Sequence, residues 1–173
     1  MFCRLVVTCF LTITPAALFS QAQPSRSGVY GGAAVELGTD YEGGVQVGAY
    51  VNAPFSHRVG LRVDLNYLSF FGPDFSGGDI SGSGPALKVF AATIGVAYSG
   101  QAPTVERHLT WILGGGFYRL NQDEAGGYHT VAGWHARISA PLGRKVSLEF
   151  GYNGLINSNS TKGFFPIAIA FAL

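Results

Sequence analysis

The chain has 173 residues and a formal net charge of +1, a length suited to one domain and a balance that excludes bulk attraction to nucleic acid or to a strongly charged substrate. Charged residues make up only 12% of it, against about a quarter in ordinary soluble domains, while 47% is hydrophobic, 13% is aromatic and 25 residues are glycine. That mix fits a protein whose outer surface is not water.

The opening segment, MFCRLVVTCFLTITPAALFSQA, reads as a secretory signal peptide over residues 1–22. Arg4 lies in a short n-region, an apolar run extends from Leu5 to Phe19, and Ser20-Gln21-Ala22 forms a small-x-small cleavage site before Gln23. A single transmembrane anchor is the alternative. The run is broken by Thr8, Thr12, Thr14 and Pro15, however, and it is short for a span of about 20 residues. Lipid modification at Cys9 is disfavoured because almost no apolar run precedes that residue. Cys3 and Cys9, the two cysteines, both fall in the removable segment, so the mature chain, 23–173, is expected to carry no disulfide and no thiol chemistry. It also has no run of about 18 apolar residues that would make a transmembrane helix.

From there the hydrophobic period is 2 almost throughout. Residues 28–39 set Val29, Ala33, Val35 and Leu37 against Tyr30, Gly32, Ala34 and Glu36. After DYEG, residues 44–51 set Val45, Val47, Ala49 and Val51 against Gln46, Gly48 and Tyr50, and NAPFSH ends the strand. The cleanest alternation runs over 58–69, where Val59, Leu61, Val63, Leu65 and Tyr67 face away from Arg58, Gly60, Arg62, Asp64 and Asn66. A Gly-, Ser- and Pro-rich loop is expected over 70–85. Strand 87–98 follows, with Phe90, Ala92, Ile94, Val96 and Tyr98 on one face and Val89, Ala91 and Thr93 on the other.

Strand 108–120 opposes Leu109, Trp111, Leu113 and Phe117 to Ile112, Gly114, Gly116 and Tyr118. Strand 128–140 opposes Tyr128, Ala132, Trp134, Ala136 and Ile138 to His129, Val131, Gly133, His135, Arg137 and Ser139. After PLGR, strand 145–153 turns Val146, Leu148, Phe150 and Tyr152 away from Lys145, Ser147, Glu149, Gly151 and Asn153. The closing FFPIAIAFAL places Phe165, Ile167, Ile169, Phe171 and Leu173 on one face and Pro166, Ala168, Ala170 and Ala172 on the other.

These strands make an all-β fold of eight, an even number. Shorter connections (52–57, 99–107, 141–144) alternate with mostly longer polar ones (70–85, 121–127, 154–163). A soluble secreted ligand-binding barrel would also alternate, but its second face must meet water. The alanines of the last strand make a poor water-facing surface and a good lining for a narrow lumen, while the bulky face suits lipid, with Tyr67, Tyr98, Tyr128, Tyr152, Phe165 and Phe171 toward strand ends as interfacial girdles. Closure would satisfy every strand edge without water. The expected architecture is therefore an eight-stranded antiparallel up-and-down transmembrane β-barrel.

On strand count, loop asymmetry and the final strand, the mature chain resembles the small eight-stranded outer-membrane barrel proteins of the OmpX and OmpA-barrel type. The resemblance implies a bacterial outer-membrane location, contact with outer-membrane lipids and a C-terminal assembly signal read by the barrel-assembly machinery. That signal would be Phe165, Ile167, Ile169, Phe171 and Leu173, with Leu173 standing where the family usually ends in an aromatic residue.

Glu36, Arg58, Arg62, Asp64, His135, Arg137, Lys145 and Glu149 all project by parity to the lumen, where charges must pair or be hydrated. The expectation is a polar network that fills the barrel; a small-solute pore is the alternative. His135, Ser139 and Glu149 share a face in the manner of a hydrolytic triad, but lipid A deacylases carry a His-x-Ser pair, and Arg137 stands where that serine would be. No enzyme activity is expected. His57, His108, His129 and His135 lack zinc-site spacing, and no phosphate-cradling glycine loop is present, so no metal or other cofactor is expected. The reading is a monomeric structural or surface-interaction protein whose loops are offered to an external ligand; Phe70, Phe71 and Phe75 in the longest loop are expected to extend the aromatic girdle or pack over the barrel mouth, with an adhesive patch as the alternative.

Overall fold

In the computed structural model the described residues are 26–37, 43–72, 74–77, 80–84, 86–100, 109–122, 127–156 and 163–173. The expected export signal lies outside them, as do His108 and the connections at 38–42, 101–108, 123–126 and 157–162. The strands are β1 (Arg26–Leu37), β2 (Gly43–Pro54), β3 (Val59–Phe70), β4 (Asp74–Gly77), β5 (Ile80–Ser83), β6 (Leu87–Gly100), β7 (Leu109–Gln122), β8 (Gly127–Pro141), β9 (Val146–Leu155) and β10 (Gly163–Ala172). Eight of them close into one antiparallel barrel in the order β1-β10-β9-β8-β7-β6-β3-β2, while β4 and β5 form a separate two-stranded hairpin. That hairpin, with Asp74 opposite Ser83 and Gly77 opposite Ile80, occupies the stretch expected to be plain loop.

Closure is made where the chain's first and last strands meet. β1 and β10 pair over ten residues, from Gly28 opposite Ala172 to Leu37 opposite Gly163. Pro166 lacks an N–H, yet the β10–β9 register continues on either side of it, with Phe164 opposite Asn153 and Ile167 opposite Phe150. At the opposite end from the hairpin, two four-residue turns share one hydrogen-bond pattern. Phe55 and Ser56 N–H groups donate to the Val59 carbonyl at 2.9 and 3.0 Å, and those of Leu142 and Gly143 donate to Val146 at 2.9 and 3.0 Å.

The period-2 faces fall as the alternation predicts. Val29, Val35, Val47, Leu65, Ile94, Leu113, Trp134, Ile167 and their same-parity neighbours are exposed on the outside, and Tyr30, Arg62, Asp64, Tyr118, His135 and Asn153 are buried inside. Glycines make room for the large inward groups. Tyr30 lies opposite Gly48 and Tyr50 opposite Gly28; His135 lies opposite Gly114 and Arg137 opposite Gly151. A Cβ on Gly48 would strike the Tyr30 ring, and one on Gly151 would come within 2.8 Å of Arg137 Cγ. Small-against-large pairing of this kind is how an eight-stranded interior accepts bulky side chains.

Gly48→Val should therefore overpack the lumen and destabilise the barrel by about 1–3 kcal/mol. The shift is read as a lower urea midpoint for loss of the compact, heat-modifiable band of the refolded protein. An unchanged midpoint would contradict the packing described.

Candidate functional site

The interior is stratified along the barrel axis. At the level of the strand centres, four charged groups meet: Arg62 and Asp64 of β3, Arg137 of β8 and Glu149 of β9, each at least 95% buried. Arg62 is the hub. Its Nη1 and Nη2 donate to Glu149 Oε1 at 2.7 Å and Oε2 at 2.9 Å, and its Nε and Nη2 donate to Asp64 Oδ1 at 3.0 and 2.8 Å. Arg137 Nη1 reaches the same Asp64 oxygen at 3.4 Å. Two cations and two anions thus neutralise one another, and the planar guanidinium fork of Arg62 serves two carboxylates at once.

The sequence dictates this arrangement through parity and register. Arg62 and Asp64 are two apart on one strand, so both point inward. β3 and β9 are four strands apart in either direction around the ring, so the Arg62–Glu149 bridge spans its diameter. Tyr50 stacks under the Arg62 guanidinium, 4.1 Å from carbon to ring centroid, and Tyr30 lies 5.9 Å from it. Beside the charges, Arg137 Nη2 and Tyr118 Oη both donate to Asn153 Oδ1 at 3.4 Å. A void of only about 10 Å³ remains next to Tyr30, Arg137 and Glu149, no more than one water occupies.

Toward the hairpin end the lining becomes apolar. Leu68, Phe70, Leu87, Val89, Ala91, Tyr118, Leu120 and Phe164 form one buried cluster, in which the Phe70 and Phe164 rings stack at 5.0 Å. Phe70 falls in the expected 70–85 loop and Leu68 carries no expected role, yet both continue the inward β3 parity past Asn66 and are buried. Toward the short-turn end the barrel opens into a cleft of about 190 Å³ lined by Arg26, Asn52, Ser56, Arg58, Ser99 and Thr110 among others.

Of the expected lumen residues, the structure gathers Arg62, Asp64, Arg137 and Glu149. His135 is buried on the same face, beside Gly95 and Gly114, and Glu36 is buried nearer the hairpin end. Arg58 and Lys145 are corrections. Both are exposed in the four-residue turns, because each strand begins one residue after them. The triad geometry is not assembled either: His135 and Ser139 are four residues apart on β8, about 13 Å at the rise of an extended strand, and Glu149 is engaged by Arg62. No group of three or more His, Cys, Asp or Glu able to hold a metal occurs among the described residues. Phe71 is exposed at the hairpin end. Phe165, Ile167, Ile169, Phe171 and Leu173 form an outward row on and just beyond β10.

Removing one partner from this buried network should cost about 3–5 kcal/mol, because the remaining charge is left uncompensated. Arg62→Met is expected to lower the urea midpoint of the folded barrel accordingly. Lys145→Met, at an exposed turn, should fall within about 0.5 kcal/mol of wild type.

No protein-family model matches the chain, and no curated protein matches it in sequence. Solved structures do match in shape. Ail, the attachment invasion locus protein of Yersinia pestis, superposes with a TM-score of 0.53 at 12% identity, covering 87% of this chain and 100% of its own. Neisserial surface protein A gives 0.57 at 13% identity, covering 87% of this chain and 98% of its own. OprG of Pseudomonas aeruginosa gives 0.50 at 10% identity, covering 86% and 94%. At these identities the likeness concerns the fold, which is that of the small eight-stranded outer-membrane barrels.

Proposed function

We propose that the protein is an integral barrel of the bacterial outer membrane with a structural or surface-interaction role, and that its lumen does not conduct. One observation carries this reading: the outward face is apolar around the ring, while the inward face is filled by a braced ionic layer beneath a stacked Phe70–Phe164 plug. Such a surface is stable against hydrocarbon and costly against water, and an interior filled from wall to wall leaves no solute path. Residues 1–22 act as the export signal. The outward row Phe165, Ile167, Ile169, Phe171 and Leu173 acts as the segment read by the assembly machinery.

The surface role falls to the long connections at the hairpin end, of which β4–β5 is already ordered as a strand pair. Ail, which shares the fold, has been crystallised in complex with the heparin analogue sucrose octasulfate, so immobilised heparin is the first probe. Retention of the reconstituted protein, and its loss when residues 73–85 are replaced by a short Gly-Ser linker, is the expected result. Equal retention of both forms would count against binding through the hairpin.

In planar bilayers the reconstituted protein is expected to give no steady single-channel steps. Reproducible steps of constant amplitude would overturn the filled-lumen reading and favour the small-solute pore.

A further inference from the structure

The outward surface of the eight barrel strands carries two charged residues among the described ones, Lys88 and Arg119, and both are basic. Inward parity accounts for every acid of these strands: Glu36, Asp64 and Glu149 are all buried in the lumen. The two cations lie on adjacent strands, β6 and β7, near the same end of the barrel, where the hairpin stands. In register, Phe90 faces Arg119 and Lys88 faces Asn121, which makes Lys88 and Arg119 diagonal neighbours about 7–8 Å apart.

Neighbouring pairs extend the patch into two rows across four strands. Tyr67, Phe90, Arg119 and Thr130 form one, each directly opposite the next, and Ser69, Lys88, Asn121 and Tyr128 form the other. Tyr128 is diagonal to Arg119, and its ring lies 4.2 Å from the guanidinium carbon. That cation–π contact fixes the exposed arginine against the wall without occupying its N–H donors with an acid. Tyr67, Phe90 and Tyr128 are exposed beside it. The arrangement is two basic groups and hydrogen-bonding side chains set in an aromatic belt, at the rim where long connections mark the external side of such barrels.

A basic pair within hydrocarbon is expensive, and at the headgroup level it attracts phosphate. We infer that Lys88 and Arg119, with Asn121 and Thr130, form a site for the phosphorylated headgroup of a membrane lipid in the external leaflet, whose acyl chains lie along the apolar strand faces below. The site rests on the membrane reading proposed above. A lipid, rather than free phosphate, is the occupant because the basic groups are continuous with the bilayer-facing surface and the long axis of the patch crosses four lipid-facing strands.

The test is to reconstitute the protein into vesicles of equimolar phosphatidylcholine and lipid A, extract it gently, and quantify the retained lipids by mass spectrometry. Wild type is expected to retain lipid A several-fold over phosphatidylcholine, and to lose that preference when dephosphorylated lipid A is used. The double variant Lys88→Gln, Arg119→Gln should retain the two lipids about equally while keeping heat-modifiable mobility, and Arg58→Gln, at the opposite end, should behave as wild type. No preference in wild type, or a preference that survives dephosphorylation or the double substitution, would overturn the site. Failure of wild type to insert into either kind of vesicle would overturn the membrane reading instead.

Discussion

Every barrel strand must find a hydrogen-bonded neighbour along both edges, and in this chain the pairing of β1 with β10 meets that requirement for the two strands that would otherwise be left open. In hydrocarbon an unpaired N–H or C=O costs several kcal/mol, so closure is the constraint from which the rest follows. A closed ring of eight strands has a narrow interior. The inward positions must therefore be small wherever a large group faces them, which is the arrangement of Gly48 with Tyr30 and of Gly151 with Arg137.

Closure also explains how so polar a centre is tolerated. Arg62, Asp64, Arg137 and Glu149 are removed from water by the ring, and each charge is answered by another within the same layer. Because the Arg62–Glu149 bridge crosses the diameter, the ions act as a strut between opposite walls as well as a neutral filling. The Phe70–Phe164 stack belongs to the apolar cluster that lines the lumen toward the hairpin end. Interior and exterior thus differ in kind: the buried charges lie inside and pair with one another, beside an apolar cluster toward the hairpin end, while the outward face is apolar nearly throughout.

Much of this was legible in the alternation. Period 2 identified all eight barrel strands, and parity separated Val63 and Leu65 from Arg62 and Asp64 because each step along a strand turns the side chain to the other face. Where the sequence was less informative, the cause lies at strand ends. Arg58 and Lys145 have inward parity on paper, but they are the last residues of the turns that precede β3 and β9, so their side chains reach solvent. Phe70 precedes Phe71-Gly72-Pro73, which reads as a loop, yet its inward parity makes it half of the plug. The Gly- and Ser-rich run after it carries no alternation, and so the β4–β5 hairpin left no signal in side-chain pattern. Partner choice among the charges needed the ring order, which brings β9 across from β3. Arg119 has outward parity near the end of β7, where a single cation among aromatics gives no pattern of its own.

The central claim is that the outward apolar face lies in lipid. The chain has two tryptophans, Trp111 and Trp134, and both are on that face, 48% and 47% exposed. Tryptophan fluorescence of the reconstituted protein, excited selectively over tyrosine, therefore reports on this surface alone. Brominated acyl chains are expected to quench it strongly, with a blue-shifted emission and little response to aqueous iodide. Efficient quenching by iodide with no effect of brominated lipid would contradict the account.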